Sequence, residues 1–220
     1  MSDHHEDQHE GRTRTQGSWL IDRPLTGFAL PRGVLGRFIG WLMTRDTSEQ
    51  RDVADALWLE PGQRVLEVGH GPGVLLAMMA EAGCEVIGVE PSTVMRDSAR
   101  RRLRKAIAAG RVDIREGVAE RTGLPDRSVD LAVAVNNVPM WSDLDAGFHE
   151  LHRVLRPGGR LVVAWHGGRK PTRIGSRLML HDDVLIHILA RMRAVFGDGE
   201  GRDLNHVVVF EATRGVDATA

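Results

Sequence analysis

The sequence predicts an open α/β sheet wound on both faces by helices, and three features point there. Short apolar runs such as Val65–Val68, Val86–Val89 and Val129–Val135 recur along the chain, separated by helix-length segments. The first run ends in the glycine-rich turn Gly69-His70-Gly71-Pro72-Gly73, and the second ends in a carboxylate, Glu90, about 20 residues beyond it. With 220 residues, 42% of them hydrophobic, one domain with a sizeable core is expected.

The first strand carries Glu67 and stops at glycines on alternate positions, where backbone N–H groups and a helix N-terminus face a polar ligand. The dinucleotide fingerprint G-x-G-x-x-G would place its third glycine at Val74, and a branched side chain there argues against pyrophosphate geometry. Glu90, ending the second strand, is placed to accept hydrogen bonds from both hydroxyls of a ribose. Ser92 then opens a helix as its N-cap. A third strand follows at Val112–Glu116 and a fourth at Ser128–Val135, which runs into Asn136-Asn137-Val138-Pro139-Met140-Trp141 at the carboxyl end of a central strand, where open sheets place their chemistry. The helix around Glu150–Arg156, the turn at Gly158-Gly159 and a fifth strand to Ala164 come next, then a helix at Asp182–Phe196 and a last strand at His206–Ala212.

The G-x-G-x-G loop preceded by Glu67, the strand ending in Glu90, the segment Gly117–Pro125, the turn Asn136–Trp141 and the run Glu150–Ala164 together resemble, in order and separation, the class I S-adenosylmethionine (SAM) methyltransferases of the small-molecule, UbiE-like type. The resemblance covers roughly residues 63–165. It implies a Rossmann-like, mostly parallel sheet with an antiparallel last strand. The sixth strand would fall in Gly197–Leu204, and so short a segment makes it stunted or absent. For the cofactor SAM the expected residues are Glu67, Gly69, His70, Gly71, Gly73, Glu90, Pro91, Met95 and Asn136; the resemblance implies the glycine loop around the methionine part and Met95 against the adenine, with Glu90 at the ribose. Val118 stands where the family has an acid for the adenine amino group. That contact is therefore missing or moved to Glu120, and the backbone N–H of Ala119 is the safer adenine contact. The acceptor pocket is expected to involve Asn137, Met140, Trp141 and Trp41. His166, at the end of the fifth strand, is the candidate general base because histidine titrates near neutrality, with a pocket-wall role as the alternative. Catalysis by positioning alone stays open.

The implied function is SAM-dependent methyl transfer to a small, hydrophobic molecule. Two alternatives remain: a protein that binds SAM or its demethylated product without transfer, and a nicotinamide oxidoreductase, which Val74 opposes. A net charge of -1 and the lack of a nucleic-acid module give no reason to expect a nucleic-acid partner. Cys84 is the single cysteine and reads as a small buried hydrophobe. Residues 1–16 read as a solvated, disordered leader, and His4, His5 and His9 within it form no closed metal-ligand set. Residues 17–60 read as a helical lid, with helices at Gly33–Met43 and Thr47–Leu59; a peripheral membrane contact is the alternative reading of the first. Residues 61–220 are the SAM-binding core. No membrane-spanning run or signal peptide is visible, and the expected location is cytoplasmic.

Overall fold

In the computed structural model, residues 18–20 and 46–216 are described. The leader, the helix expected at Gly33–Met43 and Trp41 lie outside them. The described chain begins its secondary structure with α1 (Ser48–Ala56) and continues through β1 (Arg64–Val68), α2 (Val74–Glu81), β2 (Glu85–Val89), α3 (Thr93–Arg102), α4 (Arg104–Ala108) and β3 (Val112–Arg115). Then come β4 (Val129–Val135), a 3-10 turn at Val138–Met140, α5 (Leu144–Val154), β5 (Leu155–His166), α6 (Gly175–Leu178), α7 (Asp182–Phe196), β6 (Glu200–Asp203) and β7 (Val207–Thr213).

The strands form one sheet in the order β3-β2-β1-β4-β5-β7-β6. Strands β1 to β5 are parallel, and β7 runs antiparallel to both β5 and β6. The strand order reverses between β1 and β4, and open α/β sheets bind ligands outside the carboxyl ends at such a crevice. The sixth strand is thus present but only four residues long, and all four are exposed. Its sequence, Glu-Gly-Arg-Asp, has no buried face to write an apolar pattern.

Alternation along the strands divides the core. Leu66 and Val68 of β1, with Ala132, Ala134, Leu161 and Val163, pack under Phe148 and Leu151 of α5 and Ile188 and Met192 of α7. Val65, Leu131, Val133 and Val162 face the other way, against Val53 of α1, Leu75, Leu76 and Met79 of α2 and Ala99 of α3. Glu67 lies on this second face, a carboxylate where its neighbours on the strand are apolar. Ser92 caps α3 by accepting from the Met95 N–H, and Asp143 caps α5 through Ala146 N–H at 3.0 Å. Gly158, at φ +78°, and Gly159 lie within the irregular start of β5, where its register with β4 shifts. Cys84 is fully buried, as the sequence suggested, and burial pushes its thiol up.

Candidate cofactor and acceptor site

The carboxyl ends of β1, β2, β4 and β5 surround a cavity of about 400 Å³, within the range of small-molecule sites, roughly 300 to 1,000 Å³. Glu67, Gly69, His70 and Gly71 reach it from the first loop, and Glu90, Pro91 and Met95 from the second. Val118 and Ala119, then Asn136, Asn137, Met140 and Trp141, and finally His166 complete the expected residues that line it. Gly73 does not line it. At φ +78° it is the left-handed N-cap of α2, and a Cβ there would stand 2.9 Å from the Ala99 Cβ. Its missing side chain lets α2 start close against α3.

Glu90 is 7% exposed and held on both oxygens: Oε2 accepts from the Gly71 N–H at 3.1 Å and Oε1 from the Ser92 N–H at 2.8 Å. Each oxygen keeps a further lone pair for a ligand hydroxyl. Arg96 lies behind it, donating to the carbonyls of Glu90 and Pro91 at 2.7 and 2.8 Å. Burial raises the Glu90 pKa although those N–H groups and Arg96 oppose the rise. Glu67 is more extreme, because burial and the neighbouring Glu90 charge push its pKa well above 4.5 and its Oε2 has no partner among the described residues.

That shift gives a stability prediction with a definite sign. The folded protein holds the Glu67 proton more tightly than the unfolded chain, so stability falls as pH rises from about 4.5 toward the raised folded value, and the penalty is complete above it. Glu67→Gln is expected to stabilise the unliganded protein more at pH 8 than at pH 5 in urea unfolding. An equal effect at both values would assign the gain to packing instead.

His70 stays neutral, since burial lowers its pKa to about 4. Its Nδ1 lies 2.9 Å from the Gly71 carbonyl, which fixes the proton on that nitrogen. The ring has room because β2 carries Gly88 beneath it, where a Cβ would come within 2.7 Å of His70 Cδ2. Asn137 is a tie rather than an open arm. Its Nδ2 donates to Val68 O at 2.7 Å and Val135 O at 3.2 Å, while its Oδ1 accepts from Trp141 Nε1 at 2.9 Å. Trp19 docks on the same turn, donating from its backbone to Trp141 O at 2.9 Å and from Nε1 to Val138 O at 2.8 Å.

Glu120 Oε1 is taken by the N–H groups of Ser142 and Asp143, and Oε2 has no partner among the described residues, in a side chain that lines the cavity. Of the two sequence alternatives at the adenine position, a carboxylate moved to Glu120 has this atom to offer.

Sequence reasoning missed Glu49. It sits in the first turn of α1, 7% exposed, and its carboxylate receives Asn136 Nδ2 at 2.7 Å, Thr172 Oγ1 at 3.1 Å and His166 Nδ1 at 3.0 Å. Burial alone would raise its pKa, but the bonds from His166, Asn136 and Thr172 outweigh it and hold the carboxyl below its usual range. Asn136 has φ +55°, an uncommon backbone for a residue with a side chain, and Asn is among the few types that adopt it. Trp165, Ile174 and Leu178 close this end of the cavity with apolar surface, and Trp165 Nε1 holds α6 by donating to Leu178 O at 2.9 Å.

The cavity carries five carboxylates, Asp46, Glu49, Glu67, Glu90 and Glu120, and no described Lys or Arg lines it. A pyrophosphate would meet like charge here, whereas a ligand bearing cationic groups and a vicinal diol meets complementary groups. SAM has both a sulfonium and an ammonium, and the unpartnered Glu67 Oε2 and the doubly pinned Glu90 fit it.

The comparisons agree with that chemistry. Residues 66–163 match the family model described as a methyltransferase domain. An uncharacterized methyltransferase of Mycobacterium bovis is 40% identical over 111 residues, which is 50% of this chain and 43% of the relative. A demethylmenaquinone methyltransferase of Beutenbergia cavernae is 38% identical over 116 residues, 52% of this chain and 45% of that protein. The chain spans less than half the length of these two relatives. The crystal structure of a SAM-dependent methyltransferase from Aquifex aeolicus superposes with a TM-score of 0.65 at 16% identity, covering 81% of this chain and 98% of that one. Over residues 66–163 the chain is similar to methyltransferase domains, and its fold is that of the SAM-dependent methyltransferase structures. No described helix is long and apolar enough to cross a membrane.

Proposed function

We propose that this protein transfers the methyl group of SAM to a small, partly apolar acceptor. The observation that carries the reading is the cavity at the β1/β4 crevice, lined by five carboxylates without an opposing Lys or Arg among the described residues. When bound, SAM supplies an electrophilic methyl on a positively charged sulfur. Glu90 would orient the ribose, and Glu67 would offer its free oxygen to a cationic group, an interaction that also relieves the cost of burying that carboxylate. Met140, Trp165, Ile174 and Leu178 would seat the acceptor and keep water from the methyl carbon. The demethylmenaquinone methyltransferase relative acts on a small molecule by its name, which supports an acceptor of that kind here.

Calorimetric titration with SAM, S-adenosylhomocysteine and NADH tests the cofactor. Micromolar binding of the first two and none of NADH is expected; NADH binding, or no binding of S-adenosylhomocysteine, overturns the reading. Incubation with methyl-labelled SAM and a metabolite extract then tests transfer, and a labelled small molecule is the expected product.

The adenine end has its own test. Val118→Asp is expected to tighten S-adenosylhomocysteine binding by up to about 1 kcal/mol, the net scale of one added hydrogen bond. Weaker binding in the same titration would mean that the ring rests against an apolar wall and that Glu120 already serves its amino group.

A further inference from the structure

We propose that Glu49 and His166 form a proton-accepting dyad, and that the acceptor carries an ionisable hydroxyl on an apolar body, as a phenol or enol does. The inference rests on the SAM reading above and deepens it by naming the acceptor class. The imidazole is fixed from several sides: Nδ1 stands 3.0 Å from Glu49, and the ring meets Trp165 edge-on at 5.0 Å. Glu49 is itself held by Asn136 and Thr172, and Gly175 makes that packing possible, since a Cβ there would lie 2.8 Å from Glu49 Oε1. A charged carboxylate only accepts, so the neutral imidazole carries its proton on Nδ1. That leaves Nε2, which has no partner among the described residues, as the basic nitrogen of a side chain lining the cavity. Glu49 acts through His166 and is a positioning residue; His166 is the catalytic one.

The step balances without a further reagent. The O–H bond of the acceptor breaks, its proton joins Nε2, and the electron pair stays on oxygen. That oxygen bonds to the methyl carbon as the carbon–sulfur bond breaks toward sulfur, and the imidazolium returns its proton to solvent after transfer. A hydroxyl of this class is acidic enough for an imidazole to assist, and its apolar body matches Met140, Ile174 and Leu178. An amine that is cationic at neutral pH would have to shed a proton beside Glu49, whose charged carboxylate favours the charged form.

Three measurements on the full-length protein test the proposal. In ¹⁵N-histidine NMR, with His166→Gln used to assign the signal, neutral His166 is expected as the Nδ1–H tautomer, and an Nε2–H tautomer overturns the dyad without reference to any ligand. With S-adenosylhomocysteine bound, 2-naphthol is expected to bind about tenfold more tightly than 2-methoxynaphthalene, the scale of one hydrogen bond. The preference should fall to about threefold or less in both Glu49→Gln and His166→Gln. No preference in the wild type, or a full preference retained by either variant, overturns it. Methylation of 2-naphthol should lose at least about tenfold in kcat in Glu49→Gln with the KM for SAM unchanged, and Glu49→Asp should restore part of it; an unchanged kcat makes Glu49 merely structural. Other charged and titratable groups on the packed elements include Asp46 before α1, Arg51 and Asp55 on α1, Arg173 and Arg177 at α6, His206 with its Asp52 partner beside β7, and Glu67 and Glu90 at the cofactor end. They are unchanged in these variants. Should the SAM reading itself fail, the wild type will not bind S-adenosylhomocysteine at all, a result distinct from each of these.

Discussion

Glu90→Ala is expected to weaken binding of S-adenosylhomocysteine by about 2 to 4 kcal/mol, roughly 30- to 1,000-fold, taking 1.5 to 3 for each hydrogen bond to a charged group and discounting for water that replaces them. Two losses combine. In the proposed site a ribose diol would lose its acceptors, and the Gly71 N–H loses the oxygen that fixes the glycine loop against the end of β2. Glu90→Gln separates the two, because an amide keeps one acceptor oxygen and gives up the charge; its affinity is expected to fall between wild type and alanine. Isothermal calorimetry checks both variants, and an unchanged affinity for Glu90→Ala would remove this residue from the cofactor site. Folding is expected to survive the change, because burying this carboxylate already works against its charged form.

The parts of this site that were legible in the sequence are those written by short-range rules. An apolar run, a carboxylate at its end and glycines on alternate positions are local consequences of a strand handing over to a helix, and Glu67, Gly71 and Glu90, which they single out, all line the cavity. Glu49 carries no such mark. Within Ser48–Ala56 it reads as one more polar residue on an amphipathic helix, and its meaning comes from His166, 117 residues away. Gly88 is similar: along β2 it looks like a weak point in a strand, and only the fold reveals the His70 ring packed over it. The sixth strand was legible only as a stunted or absent one within Gly197–Leu204, where it runs four residues, for the opposite reason. An exposed edge strand buries nothing, and without burial no alternation is selected into its sequence. Gly73 shows how a motif position and a ligand position can part, since the glycine is demanded by the packing of α2 on α3 rather than by the cavity.

Gly71→Val is expected to abolish detectable binding, a loss of at least about 100-fold. Three demands converge on this residue. Its φ of +52° is a conformation that a β-branched residue adopts only under strain, at a cost of about 1 to 3 kcal/mol. Its N–H holds Glu90 and its carbonyl holds the His70 ring, so a backbone that relaxes to relieve the strain releases both. A residue that stays in place instead puts two methyl groups on the wall of the cavity. Gly71→Ala resolves the contributions, because alanine brings the backbone strain with little bulk. If strain dominates, alanine and valine fall together, and if exclusion dominates, alanine keeps most of the affinity. Circular dichroism and urea unfolding establish that each variant is folded before calorimetry with S-adenosylhomocysteine. A folded valine variant that binds within about tenfold of the wild type would place the methionine part of the cofactor away from this loop, and with it the whole assignment of β1 and its glycines.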